Sequence, residues 1–289
     1  MNSRVMKIQI AGMDLLVKGG SEYFKQRAEE YMLPLDLEGE HFFPTEITIN
    51  RLAQIPYRGR SHNQAWDNAW FMASDRANTL YKTLPGMPEE VYAMMEFQGS
   101  SAEISMLTLE ENPKDGRDFM YAGMAFGQLA LNQRRMVYHS SCIEVSGKAI
   151  AFSAPSGTGK STHVQLWQQY VPDTVIINDD TPVLRFDRED TVYACGSPWS
   201  GKTTLNTNRE APLAAVVMLR QGEKNSIRKL CGAEAFARIL GQARKLPLKQ
   251  SMEQVTELCE ELLLRVPIYE LTCNISKEAV QVVRDTLGV

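Results

Sequence analysis

Lys160 and Ser161 close a short turn rich in small residues, Ser156-Gly157-Thr158-Gly159-Lys160-Ser161, and Thr162 follows them. These residue types suit one chemistry. Glycines at 157 and 159 let backbone approach phosphate oxygens without a Cβ in the way. The Lys160 ammonium can sit on the outer phosphates, the Ser161 hydroxyl can face Mg²⁺, and Thr162 can support a phosphate. Asp179 and Asp180 come next in the chain, one helix and one strand later. A carboxylate at the end of a buried strand can hold a metal directly or through water. Two adjacent carboxylates allow one to bind metal while the other takes a proton from an attacking hydroxyl.

Such groups need a strand to feed the turn and a helix whose first N–H groups face the anion. Both are written into the sequence. Lys148 to Ser153 is an apolar strand, and Lys160 to Tyr170 carries Val164 and Trp167 on one side before Pro172 ends the helix. The stretch Ala154 to Ser161 departs from the usual G-x-x-x-x-G-K-[ST] pattern, because Ala154 stands in place of its first glycine. A literal match occurs instead at Gly196 to Thr203, but Thr204 to Pro212 after it has no helical period. Context therefore assigns the nucleotide to Ser156–Thr162 and leaves Gly196 to Thr203 as a polar loop. Its Lys202, or Arg209 beyond it, is placed to neutralise charge on a transferred phosphate. Trp199 on the same loop reads as a packed aromatic in preference to a stacking platform, and His163 reads as exposed in the first helical turn.

The 289 residues suffice for one or two domains with sizeable cores. A net charge of −4 gives no basic footprint for nucleic acid or an anionic membrane. No apolar run reaches the ~18 residues of a spanning helix. The start, MNSRVMKIQIAG, has no signal-peptide core. The five cysteines lack C-x-x-C spacing and read as reduced thiols. A cytoplasmic protein is expected.

Along the chain, residues 5–10 and 13–17 read as two strands around Gly12, and Ser21 to Met32 as a short helix. Glu46–Asn50, Tyr92–Phe97 and Glu103–Leu109 read as strands, and 51–90 as mixed strand and loop. The polar break Glu110 to Gly116 separates this portion from a helix over Asp118 to Arg135. Met136 to Val145 and Lys148 to Ser153 then form a strand pair turning at Ser146-Gly147. Val175-Ile176-Ile177 is a buried strand expected beside the loop, Pro182–Phe186 and Thr191–Cys195 a hairpin, and Ala214–Leu219 an apolar strand. Helices over Gly232–Gln242 and Met252–Leu264, a strand over Ile268–Thr272 and a last helix N-capped by Ser276 complete the chain. The organisation is a β-rich α+β portion over 1–115 and an α/β domain carrying the loop over 116–289.

S-G-T-G-K-S at 156–161, a short helix, then I-I-N-D-D at 176–180 resembles the HPr kinase/phosphorylase family and, more remotely, the ATP-dependent phosphoenolpyruvate carboxykinases. His139-Ser140-Ser141-Cys142-Ile143 occupies the place of that family's active-site histidine strand. The segment Gly196-Ser197-Pro198-Trp199-Ser200-Gly201-Lys202 is similar to one in HPr-kinase-like proteins. The resemblance covers about residues 136–220. It implies an α/β phosphate-loop core of the HPr kinase/carboxykinase type and Mg·ATP-dependent transfer of the γ-phosphate to a hydroxyl, a serine above all. It further implies Asp179 as base, Asp180 and Ser161 as metal partners, Lys160 on phosphate and His139 assisting nearby. The acceptor is then a protein or peptide serine, or a small hydroxylated metabolite, and a homo-oligomer is left open. The alternative is a nucleotide-binding regulator or a small-molecule kinase of the same fold.

Overall fold

The computed structural model describes residues 5–34, 45–56, 63–66, 69–71, 73–74, 77–84, 87–108 and 116–289. The polar stretches 57–62 and 110–115, with His41 and His62, lie outside these residues. Contacts divide the chain into two units, Met1–Asn132 with Lys245–Met252, and Gln133–Arg244 with Glu253–Val289. Each is mixed α/β and is built on a mixed sheet.

In the first unit, β1 (Val5–Ile10) and β2 (Met13–Lys18) form an antiparallel hairpin. Their alternating apolar residues Met6, Ile8, Leu15 and Val17 are fully buried, as a strand period of two requires. The helix α1 (Glu22–Arg27) starts at Ser21, whose hydroxyl accepts from the Phe24 N–H. The strands β3 (Thr45–Leu52), β4 (Asn63–Trp66), β5 (Ala69–Phe71), β6 (Ala73–Ser74), β7 (Ala77–Leu84), β8 (Met87–Gln98) and β9 (Ser101–Leu107) follow, then α2 (Arg117–Leu131). The main sheet has the order β1-β2-β3-β9-β8-β7-β6. The wholly buried Asp118 carboxylate accepts from the Ser21 N–H and hydroxyl and from the Phe119 N–H, and it pairs with Arg51 at 3.1 Å. A buried charge held this way is compensated on both oxygens.

The second unit runs β10 (Arg135–Val137), β11 (Ser140–Val145), β12 (Lys148–Ser153), α3 (Lys160–Tyr170), β13 (Val175–Asn178), β14 (Val183–Phe186), β15 (Val192–Cys195), β16 (Glu210–Gln221), β17 (Ser226–Leu230) and α4 (Gly232–Gln242). The helix α5 (Lys249–Arg265), β18 (Ile268–Cys273) and α6 (Lys277–Leu287) end it, with Lys249–Met252 of α5 belonging to the first unit. The long β16 joins two regions. Its first residues pair antiparallel with β15, and its remainder lies between β12 and β18, parallel to both. One face of β11, β12, β16 and β18 is covered by α3 and α6 around Phe152, Trp167, Val217, Leu271 and Val283.

Two expectations change and two details are new. The strand expected over Met136–Val145 is two strands. At Tyr138 and His139 the chain leaves its pairing with β14, bonds Pro182 and Gln242 through main-chain N–H groups, and re-enters the sheet beside β12 and β13. The strand β13 is not beside β12, because β11 lies between them. The strand β17 went unread, since its Ser-Ile-Arg-Lys-Leu pattern is that of a charged, largely exposed edge. Ser276 occupies the N-cap of α6, yet its side chain caps nothing there and accepts instead from Asn225.

Candidate functional site

Strand direction assembles the site. Because β12 and β13 are each antiparallel to β11, they run the same way with β11 between them. The end of β12, the end of β13 and the start of β11 therefore meet at one sheet edge. The Ser156–Gly159 turn, Asp179-Asp180 and His139 follow from those three ends. Ser140 opposite Ser153 and Cys142 opposite Asn178 set the register, and the Ser140 N–H donates to the Asp180 carbonyl at 3.0 Å.

The turn has the geometry its glycines predict. Gly157 and Gly159 adopt φ values of +82° and +107°, where a Cβ is strained, and no heavy atom stands within 4 Å of either Cβ position. Both Cβ positions thus face open space. No side chain caps the first turn of α3, so its leading N–H groups are free of a side-chain acceptor. Lys160 is buried at 8% exposure, and its ammonium donates to the Ala154 carbonyl at 2.9 Å. Desolvation lowers its pKa; Asp180 and Asp179 oppose that change and Arg244 reinforces it. A buried ammonium resting on its own loop carbonyls is well placed to move onto an anion.

The two carboxylates face different surroundings. Asp179 is 5% exposed and both its oxygens are taken. Ser141 donates to Oδ1 at 2.8 Å, and the Thr203 hydroxyl lies 3.3 Å from Oδ2. Asp180 faces the cations. Its Oδ1 lies 3.5 Å from His139 Nε2. Burial alone would raise its carboxyl, but the His139 hydrogen bond and the charges of His139, Arg244 and Lys160 hold it below the usual carboxylate range. Asp179 is thus the carboxylate enclosed by hydroxyls, and Asp180 is the one beside His139.

The polar loop Gly196–Asn206 is built onto the end of β13. Asn178 donates from its amide to the Ser197 carbonyl at 2.8 Å, while its amide oxygen accepts from the Asp180 and Thr181 N–H groups. The Thr181 hydroxyl donates to the Trp199 carbonyl. Asp179 N–H bonds the Leu205 carbonyl, and Thr207 N–H bonds that of Ile177. These bonds fix the loop as a wall over Asp179. Lys202 is exposed on this loop. Arg209, also exposed, lies 3.4 Å from Glu144.

The residues missed from the sequence come from beyond α4. The Tyr138–Ala243 bridge, with His139 N–H to Gln242 O and Arg244 N–H to Val137 O, ties the segment 242–244 to the break before β11. This tie delivers Gln242 to His139 and the charge of Arg244 to Lys160 and Asp180. Only the position of Arg244 just after a helix end hints at it in the sequence. Ser156, Thr158, Ser161 and Thr162 lie on the turn and the first turn of α3 as expected. His163 does not lie at the surface. It is 3% exposed, accepts from Trp167 Nε1 at 3.2 Å and packs edge-on to Phe152, and burial pushes it down to about 4.

Among the described residues no group of three or more His, Cys, Asp or Glu is arranged to hold a metal ion, and no helix is long and apolar enough to cross a membrane. No family model matches the chain, and no curated protein matches it. Among solved structures it is similar to the Hpr(Ser) kinase/phosphatase from Coxiella burnetii, with a TM-score of 0.31 and 9% identity over 52% of this chain and 95% of that one.

Proposed function

We propose that the protein is a Mg·ATP-dependent kinase with a phosphate-loop core, transferring the γ-phosphate to a hydroxyl of a serine in a protein or peptide, or of a small metabolite. The observation that carries this reading is the convergence of Lys160, Arg244, His139 and Asp180 beside an open glycine turn at a helix N-terminus. A pure nucleotide binder needs the turn and the lysine but not a carboxylate set among Lys160, Arg244 and His139. The S-G-T-G-K-S and I-I-N-D-D resemblance agrees with it.

Each residue then has a task. The open side of the 156–159 turn and the leading N–H groups of α3 fit phosphate oxygens. Mg²⁺ would be held by the Ser161 hydroxyl together with the phosphates, in keeping with the few protein ligands that this ion takes, and it would supply charge neutralisation. Lys160 and Arg244 carry the charge that develops on the transferred group. Asp180, in place of Asp179, accepts the acceptor's proton. Its lowered basicity is tolerable, since in a loose transition state positioning matters more than early proton removal. Asp179 supports the strand end from its closed pocket.

The test is incubation of the protein with γ-labelled ATP and cell extract. Label should move to a macromolecule or metabolite with wild type. The Asp180→Asn variant should bind Mg·ATP as wild type does and transfer at least about 100-fold more slowly. Tight nucleotide binding with all label left on ATP removes the kinase reading in favour of a nucleotide-binding regulator.

A further inference from the structure

The phosphate turn has two flanks. In the sheet order β16-β12-β11-β13 the turn follows β12, and Asp180 and His139 belong to the flank of β11 and β13. On the other flank β16 and β18 run parallel to β12, so all three strands end at one sheet edge. The strand β12 ends at Ser153, opposite Met218, while β16 continues past that point to Gln221, opposite Cys273 at the end of β18. Val217 and Leu219 lie in the core under α3 and α6. Gln221 is next in that alternation and shares their face. Its amide donates to the Thr158 carbonyl at 3.1 Å, which fastens the end of β16 to the phosphate turn.

The chain beyond β16 and the chain beyond β18 are joined into one shelf beside this point. The Gly222 N–H donates to the Cys273 carbonyl at 3.0 Å, and the Asn274 N–H to Asn225 Oδ1 at 3.0 Å. The Asn274 amide donates to the Glu223 carbonyl at 3.0 Å, and the Asn225 amide to Ser276 Oγ at 3.1 Å. Gly222 has to be small, because a Cβ there would stand 2.3 Å from the Thr272 methyl. Both asparagine side chains are thereby committed to holding the loops. On this held backbone stands Ile275, 77% exposed. A large apolar side chain in water is ordinary by itself. Ile275 is set apart by its place, on a fixed shelf at the ends of the strands that flank the turn.

We propose that this shelf, Gln221 with residues 222–225 and 274–276, is the subsite for the nucleoside of the bound nucleotide, with Ile275 as its apolar contact to the base. The inference rests on the proposed kinase reading, which directs the terminal phosphate to Asp180 and His139. Phosphates lying along the turn with that end toward β11 and β13 carry the nucleoside the opposite way, over the end of β16. A base presents a flat face of low polarity and polar edges. An aliphatic side chain on fixed backbone suits the face, and main-chain groups of the two loops suit the edges. Gln221 then joins the two halves of the ligand: its Nε2 holds the turn at Thr158, and its amide oxygen is an acceptor for a sugar hydroxyl.

The experiment is calorimetric titration of the full chain with Mg·ATP and, separately, with Mg·tripolyphosphate, which has the phosphates and no nucleoside. Wild type should bind both, and Lys160→Ala should weaken both. Ile275→Ser should weaken Mg·ATP about tenfold, the scale of one apolar contact, and leave tripolyphosphate unchanged. A serine adds no charge that would repel the phosphates, and a melting curve confirms that each variant is folded. Unchanged Mg·ATP affinity in Ile275→Ser, or an equal loss for tripolyphosphate, overturns the subsite and leaves the kinase reading standing. No binding of either probe by wild type, or tripolyphosphate binding indifferent to Lys160→Ala, overturns the nucleotide reading and the subsite with it.

Discussion

Gly201 offers a separation of stability from chemistry within one methyl group. Its φ is +64°, and a Cβ built there would stand 3.0 Å from both Cβ and Cγ of Asp180 and 3.3 Å from its Oδ1. In Gly201→Ala two costs add. The left-handed backbone costs a residue with a Cβ about 1 kcal/mol. The methyl also presses on the Asp180 side chain, which must give way by a few tenths of an ångström. Gly147 is the control. Its φ is +73°, and no heavy atom lies within 4 Å of its Cβ position. Gly147→Ala therefore carries the backbone cost alone. Gly147→Ala should lose about 1 kcal/mol in denaturant unfolding, a drop in Tm of about 2–4 °C, and Gly201→Ala at least as much. Only Gly201→Ala should lose transfer of label from γ-labelled ATP, by about tenfold, since a displacement of about 1 Å at a reacting group costs about a hundredfold. Nucleotide affinity should hold in both, because the Ser156–Thr162 segment is untouched. A folded Gly201→Ala protein that transfers at the wild-type rate, or an equal loss in Gly147→Ala, refutes the idea that the placement of the Asp180 side chain beside Gly201 matters for transfer.

Two further expectations follow from buried groups. His163 is neutral in the folded protein down to about pH 4, whereas in the unfolded chain it takes up a proton below its ordinary value of 6.5. Its contribution is present above that ordinary value and is lost as pH falls, by about 3 kcal/mol at pH 4; urea unfolding at stepped pH should show this slope, and His163→Gln, which keeps an acceptor for Trp167, should flatten it. Ser141→Ala removes the hydroxyl that donates to Asp179 Oδ1 and main-chain oxygen, and should cost about 2–3 kcal/mol, the worth of a buried hydrogen bond to a charged group. A double-mutant cycle with Asp179→Asn checks it, and a coupling energy near zero would sink the idea that the pair acts together.

The parts of the site legible in the sequence are those encoded within a few residues. A glycine turn between an apolar strand and a helix reads as itself, and so does a carboxylate pair closing a strand. The i, i+4 spacing of His163 and Trp167 also held the sign of a shared inner face, though the polar residues before His163 suggested water. Roles were not legible, because they depend on what distant segments bring. Adjacent residues on a strand point to opposite sides, and the sequence left open which of Asp179 and Asp180 stands beside His139. Which one does so is decided by Ser141 on β11 and Thr203 on the 196–206 loop, which close around Asp179. The same holds for Arg244 and Gln242, which reach the site only because the chain breaks its strand at Tyr138 and bridges to Ala243. That break looks like a flaw in a continuous apolar strand. It is the device by which the sheet edge gains Arg244 and Gln242. A substitution that let β10 and β11 run on as one strand would keep the turn, the lysine and both aspartates, and would still take Arg244 and Gln242 away from Asp180 and His139.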